Sequence, residues 1–231
     1  MSSPKSTPSR VCLPIPAREF HRILLSGDLI VAWKNVDIIY CRVGAPKWRV
    51  GVVSISLSNY LQDLILVKDT LYALVNPGQR VAIVELPDDD DDDDDNNNNN
   101  NNGLKLSFLG GGFDTQKDGR VFSLAECRGE LLLVVISKGS AGYVLQWQSE
   151  EGKWVRISNL GGCTLFFAGS YFNGCLGPDH PGIRGDCIYV TTSRFRFMFS
   201  LVNQSLGRLA TCSLREEPYR CPPLWVFPSM C

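Results

Sequence analysis

Four segments of the sequence repeat one pattern, in which a turn of small or charged residues leads directly into an apolar strand. They are 26–31 (SGDLIV), 68–73 (KDTLYA), 128–133 (RGELLL) and 184–189 (RGDCIY). Counted from the second turn position, the intervals are 42, 60 and 56 residues, and a 15-residue Asp/Asn tract lengthens the second. Units of about 40 to 50 residues are typical of β-propeller blades, whereas a sandwich or barrel needs no such period. The repeat predicts an all-β propeller of about four blade-like units.

Between the repeats, apolar residues alternate with period 2 and are interrupted by Gly, Pro, Asp and Asn, which is typical of short strands. Two runs, Arg18–Leu25 and Ser56–Gln62, have a spacing that also fits a short helix. The expected strands are Leu29–Trp33, Val36–Cys41, Leu64–Val67, Leu71–Val75, Val81–Leu86, Leu131–Ile136, Tyr143–Gln148, Trp154–Ile157, Thr164–Phe167, Cys187–Thr191 and Phe195–Leu201.

One segment fits no fold: eight Asp residues and then seven Asn residues, between Pro87 and Gly103. Like charges repel and polar side chains offer nothing to bury, so 87–103 is expected to be a disordered loop. Loose Ca²⁺ binding is the alternative, although an EF-hand would need interleaved ligands and a turn glycine. The Ser/Pro-rich residues 1–19 are expected to be a disordered tail, with the propeller domain over 20–231.

Composition narrows the class of partner. The formal charge is -1, and without the eight Asp residues at 88–95 the chain is mildly basic. No stretch clusters Lys or Arg with aromatic residues, so no nucleic-acid partner is expected. The N-terminus lacks the apolar core of a signal peptide, and the longest apolar run, Leu131–Ile136, is far short of a membrane span. We therefore expect an intracellular protein of the cytoplasm or nucleus without a membrane partner.

The sequence contains nine cysteines, and no two of them are spaced as CxxC. With only two histidines to add, the spacing supports no metal site, and no cofactor is expected. Free thiols in apolar strands pack as small hydrophobes, so reduced, structural cysteines are the prediction. The cysteines are Cys12, Cys41, Cys127, Cys163, Cys175, Cys187, Cys212, Cys221 and Cys231.

Aromatic residues give two possible binding surfaces. The tryptophans Trp33, Trp48, Trp147, Trp154 and Trp225 could form an aromatic face, but packing between sheets is the expected role of such large rings.

Two arginines of another strand give the second possible surface. Arg194 and Arg196 alternate with Phe195 and Phe197, so they could contact an acidic partner if their side of the strand is exposed. The protein-binding residues otherwise stay unassigned.

Two groups of residues invite a catalytic interpretation. Asp179 and His180 could act with Ser170 or Cys175 as nucleophile, but neighbours in sequence need not be neighbours in space. The second group could supply an acid pair for glycoside cleavage, although its members fall at turn positions, where acids commonly serve as turn formers. It consists of Glu126, Glu130 and Asp186. The prediction is a protein without catalytic residues, with a propeller hydrolase as an alternative.

The sequence resembles the plant F-box-associated, kelch-like β-propeller family, domain of unknown function 295. The resemblance is carried by Lys153–Gly169, with its Trp and Asn-Leu-Gly turn, by Asp179–Tyr189, and by the closing Pro222–Ser229. Phe20–Ser26 and Tyr40–Trp48 fit the preceding blades. Two departures are a turn one residue longer at 158–161 and an Asp at 186 where the family has Asn.

The resemblance implies a substrate-recruiting role. Members pair an F-box, which docks on the Skp1 adaptor of a cullin-type ubiquitin ligase, with a propeller that holds a target protein. Residues 1–19 are too short and too Pro-rich for an F-box, and the leading blades of the family are not recognisable, so a partial propeller is expected. A truncated or degenerate paralogue without a ligase role is the second alternative.

Overall fold

In the computed structural model, the residues described are 20–45, 47–53, 55, 58–87, 103–113, 120–137, 142–192 and 196–209. They form seventeen β-strands and include no helix, which confirms the all-β prediction. No helix among them is therefore long and apolar enough to cross a membrane. The strands are β1 Arg22–Ser26, β2 Leu29–Lys34, β3 Asp37–Arg42, β4 Arg49–Val53, β5 Tyr60–Val67, β6 Thr70–Asn76, β7 Arg80–Glu85, β8 Gly103–Leu109, β9 Arg120–Cys127, β10 Glu130–Ser137, β11 Tyr143–Gln148, β12 Lys153–Ile157, β13 Thr164–Ala168, β14 Tyr171–Leu176, β15 Cys187–Thr191, β16 Arg196–Ser200 and β17 Leu206–Arg208.

These strands make four consecutive blade-like units. Unit 1 is β1–β4, unit 2 is β5–β8 and unit 3 is β9–β12, each an antiparallel meander in chain order. Units 1 and 2 join edge to edge, because β4 pairs in parallel with the start of β8. At this seam Gly51 lies directly against the Leu104 side chain, where a Cβ would overlap it. Unit 4 is the five-stranded sheet β13–β17.

The repeated sequence segments are the turns that lead into the second strand of each of the first three units. Gly27, Asp69 and Gly129 lie in these turns with φ of 56°, 63° and 75°, in the left-handed region that hairpin turns of this kind require. In the fourth segment Asp186, with φ of 54°, immediately precedes β15. The prediction of four blade-like units is confirmed; the first three share a two-residue hairpin turn, and the fourth has only a left-handed residue directly before its strand.

Unit 4 departs from the simple meander. Its strand order is β14-β13-β15-β16-β17, and β13 pairs in parallel with β15 while pairing antiparallel with β14. Strand β13 therefore lies between β14, the outermost strand of this sheet, and β15, the strand that follows the repeated segment. All five of its residues are buried.

One outermost strand of each unit, β1, β5, β9 and β14, lies near a common axis. Strand β5 contacts both β1 and β9, and β9 also contacts β14. The last gap, between β14 and β1, is bridged by the Arg22 side chain, which donates a hydrogen bond to the Phe172 carbonyl. Among the described residues unit 4 takes no strand from the start of the chain, so a side chain and not a shared strand joins the first unit to the last. We call these four strands the inner ring.

Two apolar cores fill the space between the units. One lies between units 1 and 2 and includes the fully buried Trp33 and Leu61. The larger one spans units 2 to 4 and includes Leu133, Leu165 and Phe167. The blades are therefore packed face to face around the inner ring.

The two sequence runs with helical spacing, 18–25 and 56–62, do not form helices where the structure describes them. Strand β1 covers 22–26, and strand β5 begins at Tyr60, so the helix prediction is wrong there. Pairing of these residues with β2 and β6 overrides a local pattern too short to support a helix. The expected disordered tail 1–19 and most of the 87–103 loop lie outside the described residues.

Candidate functional site

A buried carboxylate lies at the centre of the inner ring. Asp63 of β5 is only 2% exposed, and its Oδ2 accepts a hydrogen bond of 3.1 Å from the backbone N–H of Leu124 on β9. Its Oδ1 is buried without a hydrogen-bond partner. The Arg22 guanidinium of β1 interacts with it electrostatically, and the Nη1 of that guanidinium is likewise buried and unpartnered. Three of the four inner strands thus meet at one buried charged group.

The environment of Asp63 shifts its protonation towards neutral pH. Burial raises the pKa of this carboxyl to about 7, against the opposing effects of Arg22 and of the backbone N–H groups of Leu124 and Leu64. Burial also lowers the pKa of Arg22, and burial together with the Asp63 charge raises the pKa of Tyr171 on β14. Asp63, Arg22 and Tyr171, which we call the axial cluster, can therefore take up or release a proton near neutral pH.

The acids that the sequence offered for glycoside cleavage are held in turns. The Glu126 Oε1 accepts a 2.5 Å hydrogen bond from the Gly129 N–H, and Glu130 forms an ion pair of 3.1 Å with Lys68. Asp186 has a similar role in unit 4. Its Oδ1 accepts bonds from the N–H groups of Leu160 (2.6 Å) and Gly162 (3.0 Å). These contacts agree with an interpretation of Glu126 and Asp186 as turn formers and of Glu130 as an exposed, paired charge.

The other catalytic candidates lie at opposite ends of β14. Ser170 directly precedes the strand, while Asp179 and His180 follow it, so about 20 Å of extended chain separates them. The structure therefore does not bring Ser170 together with this pair. The alternative nucleophile, Cys175, lies within β14 and directs its Sγ to within 3.4 Å of the Cys127 Sγ.

The tryptophans mainly serve packing. Trp33 is fully buried between units 1 and 2. Trp147 and Trp154 pair across β11 and β12 with ring centroids 5.3 Å apart and pack against the larger core. Trp48 is partly buried, and Trp225 lies outside the described residues. Trp33 and the Trp147–Trp154 pair therefore belong to different cores.

The arginine pair of unit 4 is only half described. Arg196 begins β16 and is partly buried, and Phe197 packs against the larger core. Arg194 and Phe195 lie outside the described residues, so the suggested acidic-partner surface stays a prediction.

Exposed apolar side chains concentrate instead on unit 1, a surface the sequence did not reveal. Eight large apolar side chains are exposed among the described residues, and five of them belong to this unit. They are Ile23 and Leu25 of β1, Val43 directly after β3, and Val50 and Val52 of β4. Leu25 is the most exposed, at 69%.

Strand pairing places the exposed apolar side chains of β1 and β4 on the same side of unit 1. One row across the four strands consists of Ile23, Ala32, Ile39 and Val50. The middle of this row is buried while its two ends are exposed. We call this side, which is opposite to the one packed on unit 2, the unit 1 apolar face. The sequence does not reveal this face, because both sides of β1–β4 carry apolar residues. The pattern alone therefore does not show which side is covered by a neighbouring blade.

Comparison with known families agrees with this architecture. The model of the KIB1-4 β-propeller family matches residues 6–210, which is most of the chain. The chain belongs to this family. The KIB1-4 match confirms the β-propeller part of the resemblance drawn from the sequence. No curated protein matches the chain.

Proposed function

We propose that this KIB1-4 propeller is a non-enzymatic protein-binding module that holds a target protein on the unit 1 apolar face. The carrying observation is the gathering of five exposed large apolar side chains on one unit. Exposed apolar patches of this kind on soluble proteins commonly mark sites of protein contact. Membership in a propeller family supports the proposal, since propellers are frequently used for protein interactions.

The chemistry of the face suggests what the target offers. Leu25 lies on β1 and Val50 on β4, the first and last strands of unit 1, on either side of the buried middle of the face. A target with apolar side chains that reach both of these exposed rims would bury Leu25 and Val50 together. At about 25 cal/mol per Å² of apolar surface removed from water, such contacts form the energetic centre of an interface.

The finer part of the proposal is a role in substrate recruitment. The resemblance to the F-box-associated propellers of plants supports a link, direct or by descent, to cullin-type ubiquitin ligases through the Skp1 adaptor. On this proposal the protein acts inside the cell, in the cytoplasm or nucleus. The target is then the protein whose ubiquitination the ligase controls.

The experiment is site-specific photo-crosslinking in cells. A photoreactive phenylalanine analogue replaces Leu25 or Val50, and the matched control carries it at Val202, which is 68% exposed on unit 4. One target protein is expected to crosslink from both unit 1 positions and not from Val202. The double variant Leu25→Glu/Val50→Glu should lose this target, whereas Val202→Glu should retain it.

Other results would overturn particular parts of the proposal. Crosslinking only to a second copy, or only within the chain, would mean that the face is not a target site. Equal capture by Leu25→Glu/Val50→Glu would place binding elsewhere on the propeller. A target recovered without Skp1 and a cullin would keep the binding module and remove the ligase role.

A further inference from the structure

Three cysteines that are distant in sequence meet at one end of the inner ring. Cys127 ends β9, Cys163 directly precedes β13, and Cys175 lies in β14. Their three Sγ atoms all lie within 4.8 Å of one another, and those of Cys127 and Cys175 are 3.4 Å apart. Cys127 and Cys163 are buried, and Cys175 is partly exposed. We call this group the cysteine triad.

We propose that the cysteine triad binds a zinc ion through three thiolates. With Zn–S bonds of about 2.3 Å and tetrahedral angles, the sulfur atoms of such a site lie about 3.8 Å apart. The triad is already within about 1 Å of this spacing, so small rotamer changes would close it around a metal. The partial exposure of Cys175 leaves a path by which the ion enters and water fills a fourth position.

The charge of the surroundings favours a divalent over a monovalent soft metal. Three thiolates leave a net charge of minus one with Zn²⁺ but minus two with Cu⁺. The Arg128 guanidinium interacts with Cys163 and donates a 2.9 Å hydrogen bond to the Gly161 carbonyl, so it supplies one compensating charge. Glu126 acts in the opposite sense on Cys127, although its carboxylate is bonded to the Gly129 N–H. The single positive charge of Arg128 therefore balances the net charge of minus one that three thiolates and Zn²⁺ would have.

Without metal, the two buried thiols of the triad favour their protonated form. The hydrogen bond with Cys175, and then burial, raise the pKa of the Cys127 thiol, and burial raises the pKa of the Cys163 thiol. Metal coordination deprotonates thiols, so Zn²⁺ binding releases protons to solvent and becomes weaker as the pH falls. A metal would also tie the end of β9 to unit 4 and to the segment before β13.

A disulfide between Cys127 and Cys175 is the competing use of the same residues. It would form with a peroxide as oxidant: one thiol becomes a sulfenic acid as the peroxide is reduced to water or alcohol, and attack by the second thiol releases water. This pair would not require the third thiol. Cys163 is nevertheless packed within the same 4.8 Å, which favours three-ligand coordination.

The test is Co²⁺ titration of the reduced full-length chain, followed by competition with Zn²⁺. The thiolate-to-cobalt charge-transfer bands should saturate at a single ion per chain and disappear when Zn²⁺ is added. The four cysteines outside the described residues are removed in a background variant, so that they cannot supply the signal. That variant is Cys12→Ser/Cys212→Ser/Cys221→Ser/Cys231→Ser.

Matched variants separate the triad from other buried thiols. In this background Cys175→Ser and Cys163→Ser should each weaken Co²⁺ binding at least tenfold, whereas Cys187→Ser and Cys41→Ser should leave it unchanged. Cys175 is the least buried ligand, so Cys175→Ser should keep the fold, which circular dichroism checks, and it decides the question if another variant unfolds.

Two results would overturn the proposal. One is an absence of cobalt–thiolate bands in the reduced, folded protein, including the case in which mass mapping finds a Cys127–Cys175 disulfide before reduction. The other is a set of bands that survives in both Cys175→Ser and Cys163→Ser, since the metal would then be bound elsewhere.

Discussion

The axial cluster and the end of the propeller that carries the repeated turns, here called the turn end, hold acidic side chains in opposite ways. At the axial cluster, Asp63 is buried, has one oxygen without a hydrogen bond, and has a pKa raised to about 7. At the turn end, Asp186 accepts two backbone N–H bonds through a single oxygen, and Glu126 accepts one. The axial cluster lies between units, whereas Glu126 closes a turn within unit 3 and Asp186 ties unit 4 to the segment that precedes β13. Asp63 and Arg22 have buried atoms without a hydrogen-bond partner, and Glu126 and Asp186 do not.

The difference indicates where the ring is strong and where it is weak. Backbone N–H groups are fixed in place, so an acid that they satisfy stabilises a turn at little entropic cost. The buried Asp63 carboxylate instead loses its hydration, and the attraction of the Arg22 guanidinium offsets that desolvation cost only in part. The axial cluster is therefore the place where substitution and pH should act most strongly.

The largest effect is expected for Arg22→Leu. At pH 8 this change removes the cation that favours the ionised form of buried Asp63 and also the bond to Phe172, so the carboxyl must stay unpaired or take up a proton, and the free energy of unfolding should fall by about 3 kcal/mol. Urea denaturation measures it. Below the Asp63 pKa of about 7, for example at pH 5, the loss should be smaller because the carboxyl is already neutral.

The matched control for Arg22 is an exposed arginine of the same unit. Arg42 pairs with Asp28 at 3.0 Å, and more than half of each side chain is exposed, so Arg42→Leu should cost less than about 1 kcal/mol. Adding Asp63→Asn to Arg22→Leu should recover part of the loss at pH 8. Equal losses for the two arginine variants would mean that the axial charge has no special cost.

The second prediction tests the backbone hydrogen bonds that Asp186 accepts at the turn end. Asp186→Ala leaves the N–H groups of Leu160 and Gly162 without their acceptor and places Ala at φ of 54°, so it should lower the free energy of unfolding by about 2 kcal/mol. Asp186→Asn keeps an acceptor oxygen and tolerates this φ, and it should lose less than half as much. Denaturation of both variants in urea gives the comparison. If Asn is as damaging as Ala, the charge rather than the hydrogen bonds holds the turn.

The third prediction concerns pH. The folded-state pKa of Asp63 is raised above the value of an unfolded Asp, so between about pH 4 and pH 7 the folded state binds more protons than the unfolded state. The stability contributed by this group is present at low pH and is lost as the pH rises to 7, with a slope of up to about 1.4 kcal/mol per pH unit.

The matched variant for this prediction is Asp63→Asn. It keeps an oxygen for the Leu124 N–H and cannot ionise, so it should lack the Asp63 part of the slope. Unfolding curves of both proteins from pH 5 to pH 8 measure the difference. Parallel pH profiles would show that Asp63 does not titrate in this range.

The repeated turns were predictable because their signal is local. A left-handed turn needs Gly, Asp or Asn at set positions, and the strand that follows begins at once, as at Gly27 and Gly129. The inner strands were harder to predict. In β1 the consecutive apolar residues Ile23, Leu24 and Leu25 show no alternation, since Ile23 and Leu25 belong to the unit 1 apolar face and Leu24 to the core.

The candidate sites depend on contacts that no local pattern reports. The predicted strand at Leu64–Val67 leaves out Asp63, since Asp is uncommon inside strands. In the structure Asp63 lies within β5 and is buried, which depends on packing between units and not on the local sequence. The parallel pairing of β13 with β15 and the meeting of Cys127 with Cys175 are likewise set by the ring. Spacing along the chain, which indicated no metal site, therefore did not anticipate the cysteine triad.

The smallest effect should come from the ion pair at the turn end, Lys68–Glu130. Its atoms are 3.1 Å apart, but the two side chains are 66% and 46% exposed, so water and salt weaken the attraction. Lys68→Met and Glu130→Gln, combined in a double-mutant cycle, should show a coupling of about 0.5 kcal/mol or less that fades with added salt. A coupling that is larger and independent of salt would show that surface charge, and not only backbone hydrogen bonds to Asp186 and Glu126, holds the turn end together.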